Sequence, residues 1–383
     1  MSRTVADEDG QVSLAASRPR WSVLRREWML AVAIVTSVIF LLFEHRLFEG
    51  LSNGFWLAAL FVWLFAVVLG AAVGVVRHAE ALSERLGEPY GTLVLTVSIA
   101  LIEVMSITAV MTHGASNPTL VRDTLFSVVM IVMGGMVGLS LLLGALRHHE
   151  QSFNLQGANA YLGVIVPLAI FSLVLPNFTM STEAGTFSGL QMIMLGVMAM
   201  GLYGIFLLIQ TGRYRAYFSL SDIGNEEVHK AEDIRILPHA CLMLAYMAPV
   251  VFLVEQLAVP IDYVIETLHA PAAIGGVIMA TLVATPEAIG GVKAALHNQL
   301  QRSVNIFLGS VLATIGLTVP SMLAVAHWAG LHLILGLGPV DLILLLLILV
   351  VNIITFSSGR TNLLQGAVHV LVFIAFLFLL FEG

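Results

Sequence analysis

The chain has 383 residues, of which 58% are hydrophobic and 11% charged, with a mean hydropathy of +0.96 and a formal net charge of −7. Soluble domains carry roughly 25% charged residues, so the composition excludes a soluble globular enzyme, and without a long polar block there is no room for a separate soluble domain. The single cysteine, Cys241, can form no internal disulfide and has no companions for a metal site.

A hydrocarbon core about 30 Å thick needs about 20 apolar residues of helix, and the sequence offers about eleven such runs. Residues 1–27 form a polar tail that ends in Arg25 and Arg26. The first run, about 28–46, follows without a small-residue cleavage pattern and reads as an uncleaved span. Five spans follow within 54–211, at about 55–76, 89–112, 123–146, 159–176 and 187–210. A polar loop at 212–236 mixes Glu226, Glu227, Glu232 and Asp233 with Lys230 and Arg235, the pattern of a solvated surface. Five more spans occupy 237–383, at about 237–258, 271–296, 304–327, 338–357 and 362–381.

Basic residues gather on the cytoplasmic side of membrane spans. With eleven spans and a cytoplasmic N-terminus, Arg46 and Arg122 alone of the 17 Lys and Arg fall outside, which leaves 15 inside and an external C-terminus. A miscounted span would scramble this alternation, so the bias supports the count as well as the orientation. Five spans before the central loop and five after it suggest two fused repeats, and the odd repeat length inverts the second. The expected fold is all-α and polytopic: one extra N-terminal helix plus two inverted five-helix repeats.

Glu103 and Glu287 stand near the middle of the third and eighth spans. A carboxylate at the bilayer centre costs about 2.5–3.5 kcal/mol on insertion scales, so such acids face polar cavities and serve transport. Glu103 lies 14 residues after Pro89 and Glu287 lies 16 after Pro271, roughly 21–24 Å of helical rise. Their helices run in opposite directions, so the side chains can converge at one depth. Thr92, Thr96, Glu103 and Ser106 share a stripe. The stripe of Glu287 is small instead, with Ala280, Ala284, Gly291 and Ala294, a pattern that also serves close helix packing. Pro286 cannot donate to the carbonyl of Leu282, which frees an oxygen beside the acid. In the ninth span Asn305, Ser310 and Thr314 add polar atoms, whereas Leu125 and Met130 take the places of Asn305 and Ser310 in the fourth. Ser127 and the glycines Gly134, Gly135 and Gly138 read as substitutes there.

The stretch Thr285-Pro286-Glu287, with Asn298-Gln299-Leu300-Gln301-Arg302, Leu308-Gly309-Ser310 and Gly316-Leu317-Thr318-Val319-Pro320, resembles the second signature repeat of the calcium:cation antiporter superfamily. Gly87-Glu88-Pro89-Tyr90-Gly91-Thr92 leading to Ile102-Glu103-Val104 resembles the first. Within the superfamily the chain is most similar to bacterial ChaA-type cation/proton antiporters, from about residue 28 onward. The resemblance implies a multi-pass protein of the bacterial inner membrane in which a cation and protons compete for Glu103 and Glu287. Where many members carry Gly-Asn before each acid, this chain has Ile99-Ala100 and Val283-Ala284. Two side-chain amides are therefore missing, and carbonyls, hydroxyls or water must supply the oxygens; calcium, sodium and potassium all stay open as the cation.

Two carboxylates that bind either protons or a metal ion, but not both, couple the two flows without a separate relay. The function expected is export of cytoplasmic Ca²⁺, Na⁺ or K⁺ against external protons. No cofactor is expected, the partners are inorganic cations, protons and lipid rather than nucleic acid, and the oligomeric state is open. A cation channel with an acidic pore is the main alternative, followed by purely structural acids and by a membrane-embedded hydrolase. Thr96, Ser106, Leu282, Thr285, Asn305 and Ser310 are candidates for the pathway lining. His113 and His297, each ten residues beyond an acid, would lie at opposite surfaces, as pH sensors or as ordinary interfacial histidines.

Overall fold

The computed structural model describes residues 27–87, 90–112, 117–218 and 236–382. The polar tail before Glu27, Glu88 and Pro89, His113, and most of the central loop lie outside these residues.

Among the described residues ten helices are long and apolar enough to cross a membrane, and an eleventh is apolar but shorter. In chain order they are α1 (Trp28–Phe48), α2 (Gly54–Leu86), α3 (Tyr90–Thr112), α4 (Leu120–His148), α5 (Leu155–Phe178), α6 (Gly189–Thr211), α7 (Ile236–Glu266), α8 (Ala273–Leu296), α9 (Leu300–Ala329), the shorter α10 (Pro339–Thr355) and α11 (Leu363–Glu382). Each expected span corresponds to one helix. The fold is all-α apart from a two-residue antiparallel pair, β1 (Gln151–Ser152) and β2 (Arg360–Thr361).

Local chemistry sets several helix starts. Asn53 caps α2 by accepting from the amides of Phe55 and Trp56, and Asn154 caps α5 through Gln156 and Gly157. Ser188 and Gln191 form a reciprocal capping box at α6. Gly330 ends α9 in the left-handed conformation, with φ 66°, which costs a glycine little.

α4 and α9 are the innermost helices, covered on nearly all sides by the others. Both are interrupted by π-helical turns, Met130–Met136 in α4 and Thr314–Thr318 in α9. Such turns release backbone groups from the regular ladder, and they recur at functional sites. In α4 the carbonyl of Met133 accepts from Asn352 Nδ2 of α10 at 3.3 Å and pairs with His369 Nδ1 of α11 at 2.6 Å. His369 Nε2 in turn meets the Thr355 hydroxyl at 2.9 Å. Asn352 and His369 are thus helix-to-helix ties.

Three glycines of α4 pack against α11. Gly134 and Gly135 face Phe373, and Gly138 faces His369 and Val370, all on α11. Gly366 of α11 returns the contact, with space for a Cβ closed by the Leu142 backbone nitrogen at 2.6 Å. These small residues let two helices touch along their backbones, which corrects their reading as polar substitutes.

Loop contacts define two ends of the bundle. At one end His148 bonds the carbonyl of Leu296, Gln151 bonds that of Ala295, Gln301 accepts from the amide of Asn154, and β1 pairs with β2. At the other, Arg122 donates to the carbonyl of Gly336, and the amides of Ile334 and Leu335 reach Pro118 and Gly185. Arg147, Lys293, Arg302 and Arg360 belong to the first end and Arg122 to the second, as the alternation of spans requires.

Candidate functional site

Glu103 of α3 and Glu287 of α8 both turn onto α9. Ser310, Thr314 and Thr318 follow one another at four-residue intervals on α9 and so share one stripe. Ser310 donates to Glu287 Oε2. Thr314 and Thr318 donate to Glu103 Oε2, at 3.1 Å and 2.7 Å. The last two belong to the π-helical turn. A single ladder of hydroxyls therefore connects the two carboxylates, which lie close enough for their charges to interact. Glu103 is only 1% exposed, and its other oxygen, Oε1, has no hydrogen-bond partner among the described residues. A buried carboxylate oxygen without a partner is costly unless a proton or an ion completes it.

Among the described residues a cavity of about 270 Å³ reaches this point, lined from one end of the bundle. Its walls come from Val76 and Glu80 of α2, Thr92 to Ile99 of α3, Tyr203 to Gln210 of α6, Pro286 and Glu287 of α8, and Arg302 to Ala313 of α9. These segments all lie toward the end of the bundle that carries Arg147 and Arg302. Glu287 is on its wall, whereas Glu103 sits one helical turn beyond Ile99 and is shut off from it. Glu80 and Arg302 stand at the mouth, near enough for their charges to interact.

The other sequence candidates divide. Thr96 lines the cavity, donates to the carbonyl of Thr92 at 2.7 Å and pairs with Tyr203. Asn305 also lines it, but its amide is engaged: it donates to the carbonyl of Phe218 at 2.6 Å and accepts from Gln301 at 2.8 Å. Thr285 lies outside the lining, and its hydroxyl turns back onto the Thr281 carbonyl at 2.6 Å. Ser106 and Leu282 are buried away from the cavity. His297 is exposed at the end of α8, where its Nδ1 pairs with the Lys293 carbonyl at 2.7 Å, an ordinary helix terminus. His113 lies outside the described residues.

The sequence reading missed Thr318, the shorter of the two bonds to Glu103. The signal was present in the spacing from Ser310 to Thr314 to Thr318, but it has meaning only once α3 is known to cross α9. Tyr203, Glu80 and Arg302 were missed for a similar reason, since each needs a neighbouring helix to face.

The lining is unequal between the halves. α9 supplies three hydroxyls to the acids, whereas Met130 of α4, read in the sequence as the counterpart of Ser310, is a completely buried apolar side chain, and so is Leu125, the counterpart of Asn305.

Two blocks of the chain, 56–212 and 239–382, match the model of the family described as sodium/calcium exchanger protein. The chain belongs to that family. It is a multi-pass membrane transporter of a bacterial antiporter family rather than an enzyme or a channel. It is 44% identical over 320 residues to the putative ionic transporter y4hA of Sinorhizobium fredii, a match that covers 82% of this chain and 86% of that one. It is 41% identical over 319 residues to the sodium-potassium/proton antiporter ChaA of Escherichia coli, again covering 82% and 86%. Among solved structures, native YfkE superimposes with a TM-score of 0.72 at 19% identity, covering 93% of this chain and 99% of that one, which speaks for the shared fold.

Proposed function

We propose that this exchanger moves a cation out of the cytoplasm in return for protons, and that both compete for Glu103 and Glu287. The observation that carries the reading is the hydroxyl ladder of α9, which joins Glu287 on the wall of the cavity to Glu103, buried just beyond it. Carboxylates withdrawn from water favour protons, by desolvation and mutual repulsion, until a cation displaces them. The hydroxyls contribute oxygen to either occupant. Sodium and potassium are the first substrates to test, in line with the name of the Escherichia coli relative. Calcium is the second, because it takes six to eight oxygens and the Asn305 amide is committed elsewhere.

The excess of Lys and Arg at the cavity's end supports a cytoplasmic placement of that end, and with it the reading of an inward-open state in which Glu103 is buried beyond the cavity. The first five-helix half then runs over 54–211 and the second over 237–383.

Reconstitution into liposomes with an internal pH dye tests the proposal, each cation being added in turn. The parent is expected to exchange, and Glu103→Gln and Glu287→Gln each to lose exchange while still assembling in the membrane. Exchange that persists in both variants rejects the site. Cation flux without counter-moving protons supports a channel instead.

A further inference from the structure

At the end of the bundle that carries Arg302, five side chains outside the cavity meet from three segments. Glu27, just before α1, accepts from Arg77 and from the Tyr246 hydroxyl at 3.0 Å, and faces His78 Nε2 at 3.3 Å. The Nδ1 atoms of His78 on α2 and His239 on α7 lie 3.0 Å apart. His78 is 2% exposed. Among the described residues the charged and titratable groups that face it are Glu27 beside α1, Arg77 on its own helix, and His239 and Tyr246 on α7. The neighbouring contact between α3 and α7 is Ser98 on Met243, which carries no charge.

A nitrogen-to-nitrogen contact of this length is a hydrogen bond, so one Nδ1 donates and the other accepts. A neutral imidazole has one donor and one acceptor, whereas an imidazolium only donates. The contact therefore survives with neither ring charged or with one ring charged. It is lost when both are charged, because two N–H groups and two like charges then oppose each other. Val76 and Glu80, two residues to either side of His78, belong to the cavity wall. The ring pair thus adds a polar tie at the mouth-forming turn of α2 to the packing of α2 on α7, where Tyr246 already covers Gly74.

We propose that His78 and His239 form a proton-operated latch between α2 and α7, closed while at most one of the two rings is charged, whose opening slows exchange when the cytoplasm turns acid. This rests on the orientation proposed above. Glu27 balances the first added proton, and the second parts the rings. An exchanger that admits protons is then restrained when the cytoplasm already holds an excess of them.

The test reads a distance and a rate between about pH 5.5 and 9. Spin labels are placed on Cys241, the single and exposed cysteine of the chain, and on Leu86→Cys at the end of α2. The distance is expected to change by several ångströms on acidification, both in the exchanging protein and in Glu287→Gln. In His239→Gln, whose amide can still donate to His78, it is expected to stay fixed. His239 is partly exposed, so this variant should keep the fold, and His239→Asn serves as a second. In liposomes the acid limb of exchange should move down by at least about one pH unit in His239→Gln. A distance that moves with pH in both His239 variants as in the parent, or one that is flat in all of them, overturns the latch. Because the distance is also read in a protein whose exchange carboxylate is removed, failure of the glutamate assignment leaves this result readable.

Discussion

The Thr318 hydroxyl makes the closer of the two bonds to Glu103, and it does so from a fully buried position. Removing one partner of a buried acceptor costs about 1–3 kcal/mol, and more where the acceptor is charged, and every 1.4 kcal/mol is tenfold in affinity. Thr318→Val, which keeps the shape, is therefore expected to weaken apparent cation affinity by roughly tenfold or more, as measured by the concentration that half-saturates exchange, with little change in expression. Ser106→Ala, away from the cavity, is expected to leave that concentration unchanged. Glu27 gives a second residue-scale expectation. Burial alone would raise its pKa, but the Tyr246 hydroxyl, the Arg77 guanidinium and His78 outweigh that effect and hold it below the usual carboxylate range. A group with a depressed folded pKa adds stability that is complete above its unfolded value and is lost as pH falls through the folded one. Thermal unfolding in detergent should thus show Glu27→Gln less stable than the parent at neutral pH, the difference shrinking below about pH 4.

At the scale of elements, the crossing of α4 with α11 depends on glycine. A Cβ at Gly138 would meet the Val370 backbone nitrogen at 2.8 Å, and one at Gly366 would meet the Leu142 backbone. Overpacking of this kind typically costs about 1–3 kcal/mol, so Gly138→Val and Gly366→Val are expected to lower the melting temperature by several degrees in detergent. Each pushes on the other's partner helix, so the double variant should depart from additivity. The helices themselves were legible in the sequence, because runs of about 20 apolar residues match the thickness of a bilayer and the basic residues fix their alternation. The two acids were legible because charge in such runs is rare. What surrounds them was not. Gly134, Gly135 and Gly138 read as substitutes for a polar lining until α11 is placed against them. Glu27, His78 and His239 are separated by 51 and 161 positions, and no local pattern joins them. Thr285 is next to the acid's proline in sequence, yet its hydroxyl turns back onto its own helix.

For the whole molecule, the bundle ends differ in their basic residues and the cavity that holds Glu287 is lined from the end richer in them. Single cysteines introduced near Arg302 and near Gly336 are expected to react with a membrane-impermeant reagent from opposite sides of the inner membrane, the first only from the cytoplasm. Labelling of both from one side would reverse or break the assigned topology. A cysteine at Thr96 should react from the cytoplasmic side and be protected by the transported cation, whereas one at Ser106, buried away from the cavity, should stay silent in this conformation.

The unequal gift of hydroxyls from α9 and α4 reaches beyond the binding step. A scaffold built from inverted halves offers two access states that resemble mirror images, but a lining that is not mirrored gives them different free energies. The gradients alone decide where net exchange stops, so this difference cannot make the protein a rectifier. It can set the concentrations at which each face saturates, so that a cell can tune its internal set point without altering the equilibrium that the transporter finally reaches.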